Sequence, residues 1–252
     1  MLPRLLKYHI QRYEQLPSTN AYAMDLLPQA PKEGTVIWAD HQYAGKGQKG
    51  NQWTAEPGLN LTFSLIIYPH LPAERIYGLS QVAAIALQQT VQEHLPQVSV
   101  QLKWPNDLLI NGQKAAGILI ENQLEGSKVK ASVIGIGLNV QQRSFPPELA
   151  RRATSLSLWS DQIPTVHELL LELLHRFSKT YTLVEQKAWS SLQAEYLSHL
   201  YGHRQDLQVT IDGRRQSAYL CGVEPSGRLV LRLGGQQRSF DVKEVQIALP
   251  VD

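Results

Sequence analysis

The dipeptide Asn111-Gly112 stands between two apolar runs, "DLLI" and "AAGILI". A two-residue connection with positive φ at both positions matches the twist of paired strands, and Asn-Gly adopts it readily. The chain is therefore expected to fold an antiparallel hairpin here. The run that follows, "KVKASVIGIGLNV", reads as a further strand. The rest of the fold has to be arranged around this sheet.

Upstream, Tyr8 to Gln15, Gly34 to Asp40 and Leu59 to Tyr68 read as strands rich in β-formers. Ser18, Thr19 and Asn20 are all good N-cap types, and Tyr22, Leu26 and Leu27 follow them near helical spacing. From Ala73 to Leu95 the apolar residues Ile76, Leu79, Val82, Ala83, Ala86, Leu87 and Val91 trace a helix with a broad buried face. Helices are also expected near Val166 to Glu185 and Ala188 to Leu200. After Tyr201 the pattern changes to short strands separated by turn residues, which suggests a small β-barrel. The expected fold class is α+β, with a mixed-sheet domain over residues 1–201 and a β-domain over residues 202–252.

The 252 residues suffice for a substantial core, and a formal net charge of +2 does not announce a nucleic-acid binder. Cys221 is the only cysteine, so no intramolecular disulfide can form. The N-terminal residues lack the apolar stretch of a signal peptide, and "LTFSLIIY" is too short to cross a bilayer. These features lead to the expectation of a cytoplasmic protein without membrane association.

Chemistry gathers at a few places. "YAGKGQKGNQW" sets Gly45, Gly47 and Gly50 among Lys46 and Lys49 and closes on Trp53. Glycines let backbone amides approach a ligand closely and cradle an anion, and the lysines add full charges suited to phosphate or carboxylate. The context is neither a Walker loop nor a dinucleotide fingerprint, and a solvated flexible hairpin is an equal reading of this loop alone. In "KWPND", Pro105 interrupts the ladder and places Asn106 and Asp107 at a strand entrance. There they suit a ribose or a metal-bound phosphate, or else merely bond their own backbone in a turn. Lys114 heads an apolar strand, where its ammonium must snorkel or find an anion. Gly117 and, in "GIGLN", Gly135 and Gly137 mark places where a ligand can come close, with Asn139 at the end of that strand. No C-x-x-C, H-E-x-x-H or G-x-S-x-G pattern occurs, and the histidines are scattered, so neither a structural zinc site nor a covalent protein nucleophile is expected.

Taken in order, "STN", "QYAGKGQKGNQW", "KWPNDL", "KAAGILIE" and "GIGLNV" resemble the bacterial biotin–protein ligases. The resemblance implies a class II synthetase-like catalytic domain with flanking helices and an SH3-like C-terminal module. It also implies a reaction. The biotin carboxylate attacks the α-phosphate of ATP, giving biotinyl-5′-adenylate and pyrophosphate, and a lysine of the biotin carboxyl carrier protein of acetyl-CoA carboxylase then takes the biotinyl group and releases AMP. ATP and biotin are substrates, and Mg²⁺ assists.

On this resemblance, Ser18, Thr19, Asn20, Gln42, Gly45, Lys46, Gly47, Gln48, Lys114 and Gly117 serve biotin. Lys46, Gln48, Lys49, Trp53, Lys103, Asn106, Asp107 and Asn139 serve the nucleotide. Lys114, with Lys46 and Lys49, supplies electrostatic catalysis, and Asp107 is the candidate Mg²⁺ ligand. The loop departs from the arginine-rich pattern of the family, with Lys46, Gln48, Lys49 and Asn51 where arginines are usual. Losing a charge-assisted bond weakens adenylate retention by on the order of 1–3 kcal/mol.

A start near Tyr8 leaves no room for the DNA-binding domain that some relatives carry, so a ligase-only form without DNA binding is expected. A homodimer through a sheet edge is left open. So are two other activities: a lipoate or octanoate ligase of the same architecture, and a sensor that binds biotin or its adenylate without transferring it.

Overall fold

The computed structural model describes residues 5–249. Its larger sheet has seven strands: β1 (His9–Leu16), β2 (Thr35–Gln42), β3 (Leu61–Ile67), β4 (Val100–Lys103), β5 (Asp107–Ile110), β6 (Gln113–Glu125) and β7 (Lys128–Leu138). They lie in the order β1-β2-β3-β7-β6-β5-β4. β1 and β2 are parallel, and every other neighbouring pair is antiparallel. A parallel pair needs a crossover, supplied by α1 (Thr19–Leu26), whose N-cap Ser18 accepts from the Ala21 amide. The hairpin at Asn111-Gly112 forms as its residues require, with φ of +47° and +83°.

Alternation along the central strands explains the layers. Val36, Trp38, Phe63, Leu65, Ile134 and Ile136 face one way into the main core, beneath α2 (Tyr77–His94) and α3 (Val166–Glu185). Thr165 caps α3 in a full capping box with Glu168. On the opposite face Ile37, Ala39, Ile66 and Val133 form a smaller core with α1. Further along that face the side chains shrink to Ser64, Gly135 and Gly137, leaving the floor of a cavity.

The long helix begins later than its periodicity suggested. A single 3₁₀ turn over Ala73–Arg75 precedes α2, and the Ala73 amide donates to the Ser127 carbonyl of the neighbouring hairpin. After α4 (Trp189–Ser198) come β8 (Asp206–Ile211), β9 (Arg214–Val223), β10 (Leu229–Leu233), β11 (Gln236–Phe240) and β12 (Val245–Ile247). These pair antiparallel in the order β11-β10-β9-β8-β12. The expected barrel is not closed: β11 and β12 form the two edges and do not pair with each other among the described residues. A three-residue β12 offers few backbone groups for closure.

The smaller sheet is pinned to the larger one. The buried Trp104 Nε1 donates to the Gly227 carbonyl at 2.8 Å. A Cβ on Gly227 would stand 2.6 Å from the Tyr77 ring, so only glycine permits that approach. One continuous apolar cluster joins residues of both sheets. Among the described residues no helix is long and apolar enough to cross a membrane.

Candidate active site

The cavity over the small-residue face measures about 620 Å³, within the range of small-molecule sites. At one end α1 presents Ser18, Thr19 and Asn20, all buried despite their polarity. Buried polar groups must be hydrogen-bonded, and these are. The Thr19 amide donates to Gln42 Oε1 at 2.6 Å. Asn20 Nδ2 donates to the Leu119 carbonyl and to Glu121 Oε2 at 3.2 and 2.9 Å. Ser64 Oγ lies 2.6 Å from Asn20 Oδ1 and 2.8 Å from Thr19 Oγ1. Gly135 is small for a reason visible here, since its Cβ would stand 2.0 Å from Asn20 Oδ1.

At the centre, Lys114 Nζ stands 2.5 Å from Asp107 Oδ1. The contact is one of charge: that oxygen is buried and receives no hydrogen bond of good geometry. On a regular strand Lys114 and Gly117, three residues apart, would face opposite sides. A bulge between the Leu108–Ala116 and Leu109–Lys114 pairs shifts the phase. Lys114 Cε therefore comes 3.6 Å from where a Gly117 Cβ would be, on the cavity side. The lysine backbone is clamped too, its amide donating to the Arg152 carbonyl and its carbonyl accepting from Thr154.

The glycine loop folds as a small hairpin. Trp53 N donates to the Gly45 carbonyl, Gly47 N donates to the Asn51 carbonyl, and Lys46 bridges to Gln52. Its closing ring lies on the paired Gly117 and Gly137, where a Gly137 Cβ would stand 2.4 Å from Trp53 Cε2. The Lys114 ammonium is 5.8 Å from the centre of that ring, inside cation–π range. Among the described residues the buried Trp53 Nε1 has no partner, a donor still to be satisfied.

The fold thus gathers most of the residues picked out from sequence. Ser18, Thr19, Asn20, Gln42, Lys46, Gly47, Gln48, Trp53, Lys103, Asn106, Asp107, Lys114 and Gly117 all line the one cavity. Gly45 does not; it is buried against Trp53, whose carbonyl would lie 2.2 Å from a Cβ, so the glycine serves the hairpin. Asn139 also stands off the lining. It is buried, its Nδ2 donating to the Thr154 carbonyl, and so buttresses the segment that clamps Lys114. Lys49 falls in the Gln48–Gly50 turn, and its side chain lies outside the described residues.

Sequence reasoning passed over Ser64 and the outer wall, which the C-terminal sheet supplies with Thr210, Asp212, Lys243 and Glu244. A serine midway along "LTFSLII" was a signal that could have been used. Nothing local marked the outer wall. Among the described residues no group of three or more His, Cys, Asp or Glu gathers to hold a metal alone.

The sequence pattern of the biotin/lipoate A/B protein ligase family matches residues 13–139. The biotin–[acetyl-CoA-carboxylase] ligase of Paracoccus denitrificans is 40% identical over 225 residues, covering 85% of this chain and 90% of the relative. The bifunctional ligase/repressor BirA of Bacillus subtilis is 33% identical over 226 residues, or 88% of this chain and 69% of that one. Among solved structures, the biotin protein ligase from Aquifex aeolicus in complex with biotin and ATP superposes with a TM-score of 0.79 at 24% identity. That match covers 97% of this chain and 100% of the other, a likeness of fold.

Proposed function

The chain belongs to the biotin/lipoate A/B protein ligase family, and from that membership we propose that it joins biotin to protein by way of biotinyl-5′-adenylate. A biotin carboxylate oxygen forms a bond to the α-phosphorus of ATP while the bond to the pyrophosphate oxygen breaks. The amine of an acceptor lysine then forms the amide bond, AMP departs with the bonding pair of the acyl–phosphate link, and the amine loses its proton to solvent. The acceptor is the carboxyl carrier protein of acetyl-CoA carboxylase, a choice supported by the mention of that enzyme in the name of the Paracoccus relative.

One observation carries the choice of biotin over a fatty acyl chain: the hydrogen-bonding pattern at the α1 end of the cavity. A backbone N–H can only donate, so Gln42 must turn its oxygen to Thr19 and keep its Nε2 donors for a ligand. Thr19 commits its own proton to protein oxygen and offers lone pairs. A donor beside an acceptor matches a cyclic urea, with its carbonyl and N–H groups, whereas an alkyl chain or a dithiolane would leave both unpaired.

Lys114 is the electrostatic catalyst in this reading. A carboxylate and a triphosphate repel each other, and a fixed ammonium lowers the barrier to bringing them together. Asn106, Lys103 and Lys46 line the same cavity and serve the nucleotide. Asp107, whose buried Oδ1 accepts no hydrogen bond of good geometry among the described residues, suits a Mg²⁺ ion held mainly by phosphate oxygens. Such an ion would shield phosphate charge. Trp53, lying on its glycine platform, closes the site and keeps water from the adenylate.

The test is transfer of labelled biotin to a purified carrier domain with ATP and Mg²⁺. Labelled carrier with AMP and pyrophosphate formed is the expected result. Biotin binding without pyrophosphate release would turn the reading to a sensor, and transfer of lipoate in preference to biotin would turn it to the sister activity.

A further inference from the structure

The polar end of the cavity has a fixed direction of hydrogen bonding, and the residue that sets it does not line the cavity. Asn20 can present either its amide nitrogen or its oxygen to a neighbour, and its partners decide which. On one side it meets the Leu119 carbonyl and Glu121 Oε2, both acceptors, so Nδ2 must point there. Oδ1 is thereby turned to Ser64 and takes the single hydroxyl proton of that serine across 2.6 Å. Ser64 is then left as an acceptor toward Thr19, 2.8 Å away, and cannot donate to a Thr19 lone pair, while the Thr19 proton goes to one of two protein oxygens, Ser64 Oγ or Gln42 Oε1 at 3.0 Å. Thr19 ends with its lone pairs facing the ligand. Asn20, Ser64 and Thr19 are all buried, which strengthens the bonds among them.

We propose that Glu121 is a positioning residue. From β6, half-buried behind α1, its carboxylate fixes the Asn20 amide and, through Ser64, keeps Thr19 an acceptor for the N–H of the ligand. The proposal rests on the biotin reading above. It adds that selectivity for a urea is set from outside the pocket, by a charge that never touches the ligand. A carboxylate suits the task because it cannot donate, so the chain of bonds cannot reverse. The Leu119 carbonyl alone holds Nδ2 by a longer bond of 3.2 Å.

Pyrophosphate exchange by the full chain with ATP and Mg²⁺ tests this, comparing wild type, Glu121→Leu and Glu121→Gln. Removing the acceptor in Glu121→Leu is expected to raise the KM for biotin about tenfold, with kcat and the KM for ATP within about twofold. Glu121→Gln keeps an oxygen for Asn20 Nδ2 and recovers the biotin KM to within about threefold of wild type. Binding of lipoate, which has no urea, stays the same in all three.

An unchanged biotin KM in Glu121→Leu overturns the proposal. So do equal losses in both variants, or a fall in kcat together with a lower Tm, which describe a merely structural residue. A wild type inactive with biotin overturns the ligase reading itself and this inference with it.

Discussion

Lys114 and Asp107 meet at 2.5 Å in the middle of the cavity, brought there by neighbouring strands whose pairing slips by one residue between them. Among the described residues the ammonium has no hydrogen-bonded cage; a carboxylate and the face of Trp53 hold it in place. Such a cation is ready to be shared with an incoming anion.

Lys114→Ala is therefore expected to slow pyrophosphate exchange by about 10²- to 10³-fold at saturating biotin and ATP, the usual cost of removing one fixed stabiliser of developing charge. Affinity for biotin should change much less, because the urea end is built from other residues. A loss under about tenfold in rate would remove Lys114 from the centre of the mechanism.

Gly137→Ala tests the Trp53 platform. The new methyl would stand 2.4 Å from the indole, so the ring must leave its seat while the sheet stays paired. The KM for ATP should rise by about tenfold or more. A double-mutant cycle separates the cause, since Gly137→Ala should add nothing in a Trp53→Ala background. Additive losses would mean that the glycine acts elsewhere.

Gln48, uncharged between Lys46 and Lys49, occupies a cavity-lining position. Gln48→Arg is expected to slow escape of the adenylate by about tenfold, the worth of one charge-assisted bond. Labelling of an unrelated bystander protein should fall in step. Equal bystander labelling before and after the substitution would show that Lys46 and its neighbours already retain the intermediate.

The hydroxyls of Tyr77 and Tyr196 meet at 2.9 Å in the interior between α2 and α4, Tyr77 donating. Burial pushes the Tyr196 pKa from 10.0 up to about 12, and burial likewise raises that of Tyr77 well above its ordinary value. The folded state thus holds these protons more tightly than the unfolded chain does. The stability this gives is whole below pH 10 and is lost as pH climbs through 12, by about 3 kcal/mol for the Tyr196 shift. Urea unfolding at pH 8 and across that window checks it. Tyr196→Phe should cost about 1–3 kcal/mol at pH 8, where Tyr77 loses its acceptor, and should show a shallower alkaline decline. An identical decline in the variant would assign the alkaline limb to other groups.

Much of the fold was legible because its signals are local. Asn111-Gly112 fixed a turn through backbone conformation alone. Strand alternation gave the two faces of the sheet, and Thr165 and Glu168 fixed the start of α3 through bonds within one turn. Gly45 and Asn139 stand off the cavity lining for a shared cause. Both residues sit in motifs that look chemical, and both are taken up by backbone partners outside those motifs' local pattern, Gly45 packing against the Trp53 backbone and accepting its N–H, Asn139 donating to the Thr154 carbonyl.

The sequence by itself determined which residue types were on hand: glycines to let a ring and an amide come close, lysines to meet anions, and hydroxyl and amide groups to read a urea. Only the tertiary structure decided which of them meet. The bulge that turns Lys114 toward Gly117 is a one-residue slip between strands, and no periodicity within β6 records it. The direction of the hydrogen bonds from Glu121 to Thr19 depends on three segments far apart in the chain. Whether a group donates or accepts is set by the neighbour it faces, and those neighbours exist only once the sheet has formed.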